Sequence, residues 1–288
     1  MFPNRLKDAA DRVQAHLDTV MTPMGDLPVV QAMRYASAGG KRLRAFLVLE
    51  SARLHGVPVD RAIWAAAAVE ALHAYSLVHD DLPCMDDDDM RRGLPTVHVK
   101  WDQATAVLAG DALQSLAFEL LAHPECGGAQ VRADLVLGMA RAVGAQGMVL
   151  GQALDIAAET APQPLTLDQI THLQAGKTGA LIEWAATAGP VMAGADPAPL
   201  RDYARALGLA FQIADDILDV EGDAATVGKA VGKDADAGKA TFVSLLGLDG
   251  AKARAAELIE QAHAALGPYG DQAQTLREAA RFVISRQS

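Results

Sequence analysis

The chain has 288 residues, 51% of them hydrophobic, with 36 acidic and 25 basic side chains and a formal net charge of −11. That length supports a large core, in one large domain or about two smaller ones. The acidic balance argues against a nucleic-acid or anionic-membrane surface, but not against an anionic substrate, because a local basic pocket or bound cation overrides net charge.

Elements follow one another with short breaks. Residues 4–21 read as an amphipathic helix ended by TPMGDLP. A second helix begins near Val29 and stops at SAGGKR, and a third covers 42–54 before the turn GVPVD. Residues 61–81 make a long Ala-rich helix able to approach its neighbours closely. Further helices are expected over 102–122, 130–159, 166–187, 199–221 and 250–266, with another near the C-terminus. Pro and Gly mark the breaks at HPECGG, APQP, GADPAP and GPYG, and no strand series is visible. The expectation is an all-α fold, a single large helix bundle occupying residues 1–288. Two cysteines, Cys84 and Cys126, give neither a disulfide framework nor a zinc spacing, so a reduced, cytoplasmic setting is expected. The N-terminus carries charges throughout and lacks the apolar core of a secretory signal. No apolar run of ~20 residues escapes a charge, so no membrane span is expected.

Six aspartates crowd residues 80–89, at Asp80, Asp81 and Asp86 to Asp89. Carboxylates this dense repel one another, and a fold gains nothing from packing them together. His73, Leu77 and Asp80 nearly stack on an ideal helix, with Ser76 close by. Pro83 should bend the chain and let Asp86 return toward Asp80. A second group, Asp215, Asp216 and Asp219, lies in the apolar segment FQIADDILDV, with Gln212 one turn earlier. Such a trio is costly on an apolar helix unless a cation occupies it; a polar stripe on a surface helix is the bland alternative. Oxygen-only ligands favour Mg²⁺ or Mn²⁺ over zinc.

Basic residues surround the acid. GGKRLR holds Lys41, Arg42 and Arg44; MRRG holds Arg91 and Arg92; AGKTGAL holds Lys177 and Thr178; VGKAVGKDADAGKAT holds Lys229, Lys233 and Lys239. Any one of these is ordinarily a solvated charge, and GKT lacks the spacing of a nucleotide P-loop. Together they suggest phosphate chemistry, with two basic groups for two phosphorylated ligands.

At this point the sequence resembles the trans-isoprenyl diphosphate synthases (polyprenyl synthetases), of the bacterial farnesyl diphosphate synthase type. DDLPCMD matches the first aspartate-rich motif and DDILD the second, while GGKRLR, RRG, KTG, FQ and GK…GK follow in order over residues 39–245. The resemblance implies a bundle with a central cavity, a homodimer, and Mg²⁺ as cofactor, with Mn²⁺ as a substitute. It implies metal held by Asp80, Asp81, Asp86, Asp215, Asp216 and Asp219. It gives the allylic diphosphate to Arg91, Lys177, Thr178, Gln212, Lys229 and Lys239, and isopentenyl diphosphate to Lys41, Arg44, His73 and Arg92. Asp80, Asp81, Arg91, Lys177 and Asp215 form the implied catalytic set. Tyr75 resembles the family's chain-length floor, and Ser76 is the position beside it. A lone His on an apolar helix is more often a core histidine, but the motif match and the face His73 shares with Asp80 favour ligand contact; Gly138, Gly144, Gly147 and Gly151 read as sites of close helix approach rather than active-site features. The implied reaction is head-to-tail condensation giving farnesyl diphosphate. A geranylgeranyl-forming enzyme is the alternative and an all-α terpene cyclase a more distant one. A non-enzymatic metal-binding module does not fit, because DDDDMRRG departs from the EF-hand pattern.

Overall fold

The computed structural model describes residues 1–221 and 240–285. Helices dominate, and the one extended pair among the described residues is a hairpin of two-residue strands, β1 (Met90–Arg91) and β2 (Leu94–Pro95). The described residues fall into two compact units.

The first unit comprises Met1, Pro3–Val136 and Ala188–Ala195. Helix α1 (Phe2–Met21) buries Ala9, Val13, Leu17 and Met21, one residue every fourth position, while Lys7–Asp11 and Asp8–Arg12 pairs line its wet side. Helices α2 (Pro28–Ala36), α3 (Leu43–Leu54) and α4 (Val59–Asp80) follow. In α4, Ala62, Ala65 to Ala68 and Ala71 are all buried, and these small side chains let α3 and α6 (Gln103–Ala122) pack directly against its backbone. The short α5 (Val97–Lys100) precedes α6, whose first turn is capped by the Asp102 carboxylate accepting from Thr105 N–H at 2.7 Å.

The second unit comprises Phe2, Leu137–Thr187 and Asp196–Ser288, of which residues 240–285 are the described final stretch. The expected helix over 130–159 is two helices, α7 (Ala129–Val143) and α8 (Met148–Glu159). Gly144 and Gly147 make the break: a Cβ on Gly147 would lie 2.1 Å from the Ala142 carbonyl oxygen. Helix α9 (Leu167–Gln174), opened by a Thr166/Gln169 capping box, runs through a π-helical turn (Ala175–Gly179) into α10 (Ala180–Ala193). Helices α11 (Ala198–Glu221) and α12 (Phe242–Ala265) pack along each other, and α13 (Gln274–Ser285) lies against both. Buried Tyr203 donates its hydroxyl to the Leu276 carbonyl at 2.9 Å, tying α11 to α13.

Two stretches, Gln103–Ala122 and Ala129–Glu159, are long and apolar enough to cross a membrane by length and composition alone, and both carry charged residues. The first is core helix α6, which carries Asp111 and Glu119; the second is the interrupted pair α7 and α8.

Candidate active site

Helix α4 ends at Asp80, where the first acidic motif begins. Pro83 supplies no N–H, and the chain turns through Met85 N–H to Leu82 O at 2.8 Å. The Asp86 N–H then donates to the Asp80 carbonyl at 2.8 Å, so the first and last residues of DDLPCMD meet, as the proline bend led one to expect. Asp81 behaves differently. It is buried, and its Oδ1 accepts from Arg91 Nε at 2.7 Å and Nη2 at 2.5 Å. Burial pushes the Asp81 carboxyl up despite Arg91, while the same contact keeps the guanidinium firmly charged against the cost of its own burial.

Arg91 and Arg92 reach this site on the hairpin. Arg92 (φ 53°) and Gly93 (φ 75°) form its two-residue turn, the both-positive pattern whose twist suits tightly paired strands. The Arg92 guanidinium packs on Gly40, where a Cβ would come within 2.7 Å of Nη1. Gly40 must also adopt φ 83°, so two constraints fix glycine there. In GGKRLR the side chains divide. Arg42 is buried and bonds Glu70 Oε2 at 3.2 Å, Gln14 Oε1 at 2.8 Å and the Ser37 carbonyl; it is a strut. Lys41 stays exposed and Arg44 half-buried.

Half-buried His73 lies on the same face of α4 as Asp80, two turns before it. Burial pulls its imidazole well below the ordinary range, and the positive charges of Arg44, Arg92, Arg42 and Arg91 pull the same way. A neutral base among four guanidinium groups is an environment suited to an anion. Two residues along, buried Tyr75 presents its ring to His79, and the Ser76 hydroxyl donates to the His73 carbonyl at 2.9 Å.

In the second unit the π turn carries Lys177 and Thr178. Lys177 Nζ lies 2.6 Å from Asp155 Oδ2 on α8, and the Thr178 hydroxyl donates to Gln212 Oε1 on α11 at 3.2 Å. Gly151 makes this possible: a Cβ there would sit 2.1 Å from the Lys177 backbone nitrogen, and Gly138 similarly admits the Trp184 ring. The close-approach reading thus holds for Gly138 and Gly151, whereas Gly144 and Gly147 serve the helix break. Asp215 and Asp219 are half-buried on α11. Asp216 is buried and its Oδ2 accepts from Phe242 N–H at 2.7 Å, capping the start of α12. Lys229 and Lys239 lie outside the described residues.

Among the described residues, no three Asp, Glu, His or Cys side chains converge as a set able to hold one ion. Asp81 and Asp216, both expected as ligands, have the protein partners just given. In the first unit Asp80 and Asp86, and in the second Asp215 and Asp219, offer oxygen donors of the kind that suits Mg²⁺, which takes one or two carboxylates and completes its shell with water and substrate phosphate. The donors in each unit therefore fit that ion. Sequence reasoning missed three polar residues here. They are Glu70, which also accepts from Ala45 N–H at 2.9 Å; Asp155; and Gln152, whose amide nitrogen is buried with no hydrogen-bond partner among the described residues. The lone charge in the alanine run AAAAVEAL was the available signal for Glu70.

The polyprenyl synthetase family model matches residues 28–277. The chain is 45% identical over 298 residues to a farnesyl diphosphate synthase of Escherichia coli, with 99% of each chain covered. It is 42% identical to a chloroplastic geranylgeranyl pyrophosphate synthase of Arabidopsis thaliana, covering 88% of this chain and 72% of that protein. A crystal structure of an FPP/GFPP synthase from Zymomonas mobilis superposes with a TM-score of 0.87 at 44% identity, covering 99% of this chain and 100% of the other. Acidic motifs, basic clusters and overall similarity agree, and the chain belongs to the polyprenyl synthetase family.

Proposed function

We propose that this protein is a prenyltransferase that condenses an allylic diphosphate, dimethylallyl or geranyl, with isopentenyl diphosphate and releases farnesyl diphosphate. The observation that carries the reading is the cation cluster that the hairpin brings to GGKRLR, with the Arg92 guanidinium packed on Gly40 and the positive charges of Arg44, Arg92, Arg42 and Arg91 acting on His73. A terpene cyclase needs one diphosphate site; this cluster supplies a second, for isopentenyl diphosphate, through Lys41, Arg44, His73 and Arg92. The allylic diphosphate falls to Arg91, Lys177, Thr178 and Gln212. Mg²⁺, taken up by Asp80 and Asp86 of the first unit and by Asp215 and Asp219 of the second, would neutralise charge on the departing diphosphate.

Arg91 and Lys177 stabilise the negative charge that builds on the leaving group as the allylic C–O bond ionises. Both cations already have carboxylate partners, Asp81 and Asp155, which hold them in place before substrate arrives. The Thr178 hydroxyl and Gln212 amide are hydrogen-bonded to each other and fix polar groups beside Lys177. The isopentenyl double bond attacks the allylic cation to form the new C–C bond, and the released diphosphate takes the proton that the adduct loses. Apolar helices exclude water that would otherwise quench the cation. Tyr75 blocks further growth of the tail and favours fifteen carbons. Two copies of the chain act as a homodimer in a cytoplasmic setting.

The test is incubation with Mg²⁺, geranyl diphosphate and radiolabelled isopentenyl diphosphate, followed by chromatography of the dephosphorylated products. Farnesol is expected. Similarity to the Arabidopsis protein favours a second reading, a twenty-carbon product, which geranylgeraniol in that assay would establish. Cyclic hydrocarbon formed from the allylic diphosphate alone would replace condensation with cyclisation.

A further inference from the structure

His79 is accounted for by neither acidic motif nor basic cluster, yet it is held from two sides. Its Nε2 lies 3.1 Å from the Val107 carbonyl of α6, and as a donor it must carry its proton on that nitrogen. Its ring occupies a notch in α6 left by Gly110: a Cβ there would stand 2.1 Å from Nε2 and 2.3 Å from Cδ2. One turn earlier on α4, the Tyr75 ring meets His79 edge to face, centroids 5.3 Å apart at 85°. Tyr75 is itself 7% exposed, so its ring has few places to go while His79 stays put. Asp111, next to Gly110, acts electrostatically on the phenol, which places this stretch of α6 beside Tyr75 as well.

We infer that His79, seated in the Gly110 notch and tied to Val107, is a positioning residue that fixes the Tyr75 ring and thereby sets product length. The inference rests on the reading of Tyr75 as the floor of the prenyl cavity. Val107 and Gly110 anchor the wedge on one helix; the wedge holds the floor on the other. Removing the imidazole opens a void next to the phenol, the ring turns into it, and the growing tail gains depth.

The experiment measures the ratio of twenty- to fifteen-carbon products from wild type, Tyr75→Ala, His79→Ala, His79→Phe and the double variant Tyr75→Ala/His79→Ala. His79→Ala should raise the ratio roughly two- to tenfold, the range that losing one edge-to-face ring pair allows. His79→Phe keeps a ring edge against Tyr75 and should stay near wild type. On the Tyr75→Ala background, His79→Ala should add nothing, a non-additivity that general loosening of the helix pair would not produce. A wild-type distribution from His79→Ala, or an undiminished effect in the double variant, overturns the inference. If His79→Ala does not fold, Gly110→Ala, which expels the ring from its notch, takes its place under the same two criteria. Absence of any condensation product from wild type would instead overturn the functional reading. An unchanged distribution from Tyr75→Ala would remove the floor, and this inference with it, while leaving the prenyltransferase intact.

Discussion

His73 is a base kept neutral by its surroundings, and this has consequences for both stability and binding. Its folded pKa lies below the value of about 6.5 that the unfolded chain would show. Between those values the unfolded chain binds a proton that the folded one refuses. The contribution of His73 to stability is therefore fully present above about pH 6.5 and is lost as pH falls toward the folded value. Burial is the larger cause of that depression; a diphosphate placed among the arginines offsets the repulsion that adds to it. We expect the His73 imidazole, followed by NMR titration, to move to higher pKa on adding inorganic pyrophosphate. Identical titration curves with and without pyrophosphate would show that the anion binds elsewhere.

Helix α4 does two jobs, since its last residue opens the first acidic motif and its interior Glu70 secures the GGKRLR loop. One Glu70 oxygen accepts from Ala45 N–H near the start of α3, and the other meets buried Arg42, whose own backbone is left-handed at φ 55°. Glu70→Ala would strand the Arg42 charge in the core. Breaking a buried pair in this way costs about 3–5 kcal/mol, and at 2–4 °C per kcal/mol for a chain of this size we expect melting roughly 6–20 °C lower. A melting temperature within about a degree of wild type would mean that solvent or another group takes over the pairing. Much at this scale was legible from sequence. Helix α3 starts at Leu43 against an expected 42, α6 at Gln103 against 102, and α11 at Ala198 against 199. Local signals, Pro and Gly breaks with apolar periodicity, are enough for such boundaries. The failures came where tertiary packing decides. Gly144 and Gly147 look like packing glycines in a sequence, but they split the helix expected over 130–159. Helix α12 begins at Phe242 rather than near 250 and tolerates a non-helical Gly247, because Asp216 and a Thr241/Ser244 capping box hold its start. The acidic and basic motifs were legible because they are dense. Glu70 and Asp155 were not, because a single charge in a helix reveals nothing of a partner 22 or more positions away.

At the scale of the molecule, a net charge of −11 and two carboxylate motifs raise the question of whether folding waits for metal. The contacts argue that it does not. In the first unit the buried Asp81 charge is met by Arg91; in the second, buried Asp216 accepts from the Phe242 N–H at the start of a helix. The most buried carboxylate of each motif is thus satisfied within its own unit, and the surrounding cores are apolar. We therefore expect the proposed ligands Asp80 and Asp215 to serve catalysis more than packing. Asp80→Ala and Asp215→Ala should keep the helical circular dichroism and the melting temperature of wild type. Each should lose ~10²–10³ in turnover, the usual cost of removing one group that stabilises developing charge. EDTA should abolish turnover of the wild type without unfolding it, and added Mg²⁺ should restore the rate. Near-normal turnover in both variants, or full activity in EDTA, would sink the metal assignment. Loss of helical signal in either variant would show instead that these carboxylates hold the fold, because a group needed only to neutralise a leaving diphosphate has no effect on a chain that has not yet met one.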